Sequence, residues 1–247
     1  APLAVVLLRR LVRRATVRLA DTHWDHIQGF PFCAPAFDPN RTLRILAGHL
    51  PKGSGIRTVL AGQMAQPTFP VPLEIMRGSL TFEDFVAGDT FSLGEVKVRT
   101  APLNHPNGAT GYRLEHAGAS MAYVTDTEHT PGKLDQNIID LIEGCDLFIY
   151  DCTYTDEEFP SKVGWGHSTW QEAVRLSRAA KVRRLAIFHH DPDHDDSFMG
   201  KVEKEAHAMF RSSFVAREGM CITLRGKRAQ RTADHEGATP RKKPRSR

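Results

Sequence analysis

Five clusters of histidine and aspartate, each just after an extended or apolar segment, constrain this chain more than its composition does. The densest is Asp21-Thr22-His23-Trp24-Asp25-His26, with two histidines and two aspartates in six residues. The others are His105 in Leu103-Asn104-His105-Pro106, Asp126 in Tyr123-Val124-Thr125-Asp126-Thr127, Asp151 in Phe148-Ile149-Tyr150-Asp151-Cys152, and His189-His190-Asp191 after Leu185–Phe188. Loops beyond strand ends are where a sheet scaffold presents its ligands. Neutral imidazoles and carboxylates so close together suit a first-row dication such as zinc. One histidine of this kind is ordinarily structural; five ordered clusters point to a metal centre.

The hydrophobic pattern supplies the scaffold. Residues 3–19 read as a short helix or a strand, with arginines too irregular to decide between them. Alternation or apolar runs predict strands at Leu43–Ala47, Leu73–Met76, Leu80–Phe85, Thr90–Leu93, Val96–Thr100, Leu147–Tyr150, Arg184–Phe188 and Met220–Leu224, with a hairpin from Gly111–His116 to Ser120–Thr125. Helices are predicted at Gly53–Gln63, capped by Ser54, and at Lys133–Gly144, Ser168–Ala180 and Asp195–Phe210. A β-rich first half followed by α/β alternation predicts stacked sheets flanked by helices.

Charge divides the 247 residues unevenly. Residues 1–20 carry +5 and residues 226–247 carry +6 of a net +4, which leaves −7 on the body. The acidic body suits cations, and the basic tail is expected to be disordered or to touch RNA. The expected division is a basic N-terminal segment 1–20, an acidic body 21–225 that forms the folded domain and a tail 226–247. No apolar run approaches 18 residues, so no membrane span is expected. The apolar start lacks the charge order of a signal peptide, so a cytoplasmic protein is expected. The chain begins without Met, which suggests a fragment. Cys33, Cys145, Cys152 and Cys221 form no C-x-x-C pair, and reduced, buried thiols are expected.

Residues 21–26 resemble the H-x-H-x-D-H signature of the metallo-β-lactamase superfamily, with Asp21 in the place of the first histidine. Together with Leu103-Asn104-His105-Pro106, Asp126, Gly166-His167-Ser168-Thr169 and Phe188-His189-His190-Asp191-Pro192, they make the chain similar to metallo-β-lactamase-fold hydrolases over about residues 21–225. Within these it resembles the branch of ribonuclease Z and related phosphodiesterases. The resemblance implies an α/β fold, the four-layer αββα sandwich, here with an incomplete N-terminal part. It implies two divalent metal ions, zinc or manganese. His23, His105 and Asp126 would hold one, with Asp21 as the altered ligand; Asp25, His26, His189 and the shared Asp126 would hold the other. Asp25 would accept a proton from the nucleophile. Asp151 would orient His167, which would contact the phosphate or protonate the leaving oxygen.

Two departures carry expectations of their own. Asp21 is anionic where imidazole is neutral, so that metal site is expected to be weakened. Only 20 residues precede Asp21, where the family has several strands. An uncovered sheet edge invites pairing with another chain, so a homodimer is one expectation. The leading function is hydrolysis of a cyclic nucleotide, a small phosphodiester or an RNA end. The alternatives are a lactamase- or lactonase-type acyl hydrolase and an inactive truncated family member. Trp24 is expected to pack under the metal loop.

Overall fold

The computed structural model describes residues 13–51 and 54–226. Two sheets form its centre. In the first, β1 (Arg14–Leu19), β2 (Thr42–Ala47) and β3 (Ser79–Asp84) run parallel in the order β1-β2-β3. Between them lie α1 (Trp24–Ile27), α2 (Ala34–Phe37) and α3 (Ile56–Gln63). The second sheet has seven strands. These are β4 (Thr90–Leu93), β5 (Val96–Leu103), β6 (Ala109–His116), β7 (Ala119–Val124), β8 (Leu147–Asp151), β9 (Leu185–Phe188) and β10 (Ser213–Val215), and they lie side by side in reverse chain order. The helices α4 (Gln136–Ile142), α5 (Trp170–Ala179) and α6 (Asp196–Met209) cover it.

The two sheets stack as the inner layers of an αββα sandwich. Tyr112 of β6 donates its hydroxyl to Leu19 O of β1 at 2.7 Å, and Phe85 after β3 packs edge-on against Phe91 and Tyr112. Each sheet has its own apolar core on its helical side. Leu43, Ile45, Ile56 and Leu60 join the first sheet to α3; Ile138, Leu141, Phe148, Val174, Leu176 and Ile187 join the second to α4 and α5. Truncating one such side chain costs about 2–5 kcal/mol, because the close-packed surroundings cannot collapse into the void.

Several local expectations change. The described part of residues 3–19 is a strand. Val17 and Leu19 face the first core, while Arg18 lays its guanidinium over the Phe91 ring at 5.6 Å. Arginine therefore fills the inner layer by its stem, which obscures the alternation in sequence. Residues 3–12, Gly53 and the tail from 227 lie outside the described residues. Leu73–Ile75 is a 3-10 turn, since Pro70 and Pro72 precede it and withhold N–H groups a strand needs. The first residue before α3 is Gly55 at φ +64°, and Asp84 of β3 accepts from Ile56 N at 2.9 Å, so Ser54 is not its cap. Residues 220–224 form no strand. The edge of β9 is already taken by Ser213–Val215, which follows directly from α6.

Candidate metal centre

Topology alone brings the clusters together. Strands β7, β8 and β9 are parallel, and β5 runs the same way because two antiparallel steps separate it from β7. Their C-terminal ends share one edge of the sheet, and there stand His105, Asp126, Asp151 and His189. The loop after β1 delivers Asp21, His23, Asp25 and His26 to the same place. His167 arrives on the approach to α5, whose start is fixed by Thr169 accepting from Glu172 N at 3.1 Å.

Two sets of ligand atoms converge. In one, His23 Nδ1 lies 2.8 Å from Asp21 Oδ2 and 2.9 Å from His105 Nε2, and His105 Nε2 lies 3.3 Å from Asp21 Oδ2. His105 donates its other nitrogen, Nδ1, to Gly166 O at 2.7 Å, which leaves Nε2 as a lone pair aimed into the trio. In the second, His26 Nε2 lies 3.0 Å from Asp126 Oδ1 and 3.2 Å from Asp25 Oδ2, and His189 Nε2 lies 3.4 Å from Asp126 Oδ1. Asp21, His26 and Asp126 also group together, so the two sets adjoin. Asp21 is buried within the cluster, in the place the sequence pattern reserves for histidine.

The donor set fits divalent ions. Asp21 Oδ1, His26 Nε2 and Asp126 Oδ2 are buried with no aligned hydrogen-bond partner, although carboxylates and imidazoles surround them. Such atoms are costly to bury unpaired, and a cation between them would satisfy all three. Asp126 and His189 also hold positive φ, +64° and +60°. Aspartate and histidine tolerate this region better than most residues, yet such conformations gather at functional sites.

Asp151 ties the loops together. Fully buried, it accepts from Asp126 N at 2.9 Å and His167 Nδ1 at 2.9 Å on one oxygen, and from Thr153 N at 3.2 Å and Ser168 N at 3.2 Å on the other. Burial pushes its carboxyl up, but the bond from His167, the charge of His189 and the backbone donors outweigh this and hold it near 2. Burial likewise lowers His167, but the bond to Asp151 together with the charges of Asp151, Asp126 and Asp25 outweighs it, so this imidazole is raised above its ordinary value. Its ring stacks on His189 at 5.0 Å between centroids and lies 5.3 Å from that of His105.

All the sequence-predicted site residues meet here. Asp25 is half exposed at the rim. Trp24 does not pack beneath the loop: it is 60% exposed, because the single turn of α1 buries His26 and Ile27 and turns Trp24 outward. His190 bonds back to Ile187 O at 3.1 Å and belongs to none of the ligand groups. His129 is buried with Ser168, 2.8 Å away, as a structural residue. Cys33, Cys145 and Cys152 are buried, but Cys221 is exposed, since its segment joins neither sheet.

Sequence reasoning missed two supports. Thr153 donates its hydroxyl to His189 O at 2.8 Å and its N–H to Asp151 Oδ1 at 3.2 Å. Glu128, two residues beyond Asp126, accepts from Gly164 N and Gly166 N at 2.7 and 2.9 Å and so clamps the loop ahead of His167. An acid so close to a ligand was the available signal.

Comparison with known proteins agrees with this architecture. The chain is 29% identical over 156 residues to the ribonuclease Z of Parabacteroides distasonis, which covers 63% of this chain and 45% of that protein. The chain thus spans about half the length of this curated relative. Among solved structures, the metallo-beta-lactamase fold protein YhfI from Bacillus subtilis superposes with a TM-score of 0.63 at 18% identity, covering 83% of this chain and 76% of that one. Human tRNase Z, short form, superposes with a TM-score of 0.60 at 16% identity, covering 85% and 79%. The family model for the beta-lactamase superfamily domain matches residues 2–190. That match starts well before Asp21 and runs through β1 to β9 and every loop that brings a residue to the centre, and the chain belongs to the beta-lactamase superfamily.

Proposed function

We propose that this chain is a metal-dependent hydrolase of phosphodiesters, with a nucleotide or an RNA end as its substrate class. The observation that carries the reading is the Asp151–His167 pair, whose polar atoms group with those of Asp126 and His189 at the edge of the two ligand sets. Acyl hydrolysis needs only the metals. A carboxylate-held imidazole adds a hydrogen-bond donor for phosphate and a proton for a departing alkoxide. The named activity of the ribonuclease Z relative supports the same reading.

The residues divide the work. Asp21, His23 and His105 would hold one ion, and Asp25, His26 and His189 the other, with Asp126 adjoining both; zinc suits this nitrogen and oxygen set. When bound, such ions lower the pKa of a water and neutralise charge on a phosphate. Asp25, half exposed at the rim, would take up a proton. His167 Nδ1 is committed to Asp151, so its Nε2 is the atom that meets substrate.

The test compares bis-p-nitrophenyl phosphate with a chromogenic β-lactam in zinc- and manganese-loaded protein. Turnover of the phosphodiester alone is expected, with a loss of about 10²–10⁴ in kcat for His167→Ala. Turnover of the lactam alone would establish the acyl reading instead, and hydrolysis of neither would favour an inactive member. Phosphodiester cleavage retained in Asp126→Ala would sink the shared-carboxylate arrangement.

A further inference from the structure

The loop Lys162–Gly166 leads into His167 and holds two large apolar side chains in solvent, Val163 at 61% and Trp165 at 62% exposed. A single exposed apolar residue calls for no explanation. Here the surroundings do. The loop is held still: Glu128 accepts from Gly164 N and Gly166 N, and Glu128 is itself joined to Asn104 by Glu128 N to Asn104 O at 2.7 Å and Asn104 Nδ2 to Glu128 O at 2.8 Å. The loop also abuts the centre. Gly166 O accepts from His105, so Trp165 stands one residue from that bond and two from His167. And it carries a cation: Lys162 Nζ lies 4.7 Å from the Trp165 ring centroid and 5.3 Å from that of Tyr154, whose ring is 6.2 Å from His167.

We propose that Trp165 and Lys162 form a nucleoside subsite beside the metal centre. The indole stacks on the base next to the scissile phosphate, and the Lys162 ammonium meets the phosphate charge on the same nucleotide. The subsite rests on the phosphodiesterase reading for where that phosphate sits. Stacking tolerates any base, because every base has a π-face, and an ammonium already against the ring strengthens that preference for an anionic nucleotide. A rigid loop suits this use, since little ordering remains to be done on binding.

The experiment uses the full chain loaded with zinc. Thymidine 5′-(p-nitrophenyl) phosphate and methyl p-nitrophenyl phosphate share a leaving group and differ only in the nucleoside. The parent is expected to prefer the first, and Trp165→Ala to reduce the ratio of the two kcat/KM values about tenfold, mostly through KM, as loss of one stacked base implies. Trp165→Phe should keep most of the ratio and Lys162→Met only part of it. An unchanged ratio in Trp165→Ala overturns the subsite. Tryptophan fluorescence is titrated in parallel with uridine 5′-monophosphate and with ribose 5-phosphate. Quenching by the nucleotide only, abolished in Trp165→Phe, is expected. If neither ester is hydrolysed, the phosphodiesterase reading fails, and the titration alone decides the subsite: equal quenching by both ligands, or quenching that survives Trp165→Phe, refutes it.

Discussion

Gly164 and Gly166 offer a paired test of how the loop ahead of His167 supports the metal centre. Both hold φ in the left-handed region, +89° and +86°, and both donate their N–H to Glu128. Alanine at either position should therefore cost about the same in backbone strain, about 1–2 kcal/mol. Their surroundings differ. A Cβ on Gly164 meets nothing within 4 Å, whereas a Cβ on Gly166 would lie 2.3 Å from His105 Nδ1 and 2.4 Å from Pro106 Cδ. Neither is the free end of a flexible chain, so His105 must turn or move.

That movement breaks the bond from His105 Nδ1 to Gly166 O, which fixes the tautomer and aims Nε2 at Asp21 and His23. Disturbing such an outer partner weakens metal binding by about 10–100-fold, equivalent to about 1.4–2.8 kcal/mol. Zinc affinity would be measured by competition with a chromophoric chelator, beside urea unfolding of each variant. Gly166→Ala should lose this affinity at one site, while Gly164→Ala, similarly destabilised, should stay within about threefold of the parent. Equal zinc affinity in the two variants would refute the claim that the loop positions His105.

Three further outcomes follow from the same structure. Zinc should leave in two steps on chelation, the Asp21 site first, because a carboxylate replaces an imidazole there; two equivalents of equal affinity would contradict this. Asp151→Asn should cost about 3 kcal/mol in urea unfolding, since an amide set against either pair of donors leaves buried N–H groups unpaired, and an unchanged midpoint would count against the network. A thiol reagent should titrate one cysteine per native chain, Cys221, and all four after denaturation; fast labelling of Cys145 or Cys152, whose thiols burial pushes up, would contradict the packing of the second core.

The parts of this molecule that sequence made legible are those where one residue type has one physical use. Ser168–Ala180 reads as a helix because its apolar face recurs at the helical period and Ser168 or Thr169 can cap it; the helix runs Trp170–Ala179 with Thr169 as its cap. The ligand loops read as a centre because histidine and aspartate cluster at strand ends. Where a residue serves by its less usual part, the signal failed. Arg18 fills an inner layer with its stem and hides a strand. Leu73–Ile75 has a strand's composition, but flanking prolines deny it a ladder. Glu128 and Thr153 act through backbone groups distant in sequence, and no local pattern announces such partners.

The centre is held by the protein in a way that makes its charge the dominant problem. Asp21, Asp25, Asp126 and Asp151 stand among five histidines, and three of those four acids are buried. Asp151 is satisfied by backbone and imidazole donors, so it belongs to the scaffold and its charge is already answered. Asp21 and Asp126 each keep a buried oxygen without a partner. Local consistency is therefore broken at these two residues and at His26, and maintained immediately behind them by Asp151, Thr153 and Glu128. A fold tolerates such a breach where function requires it, with rigid support around it. By this reasoning Asp21 is more than a lost histidine. It adds a second inward-facing, incompletely satisfied carboxylate to the one that Asp126 supplies, and it makes the pair of sites more anionic as a unit. The substitution thus raises the demand for a cation at the centre even as it exchanges the better zinc donor for a harder one.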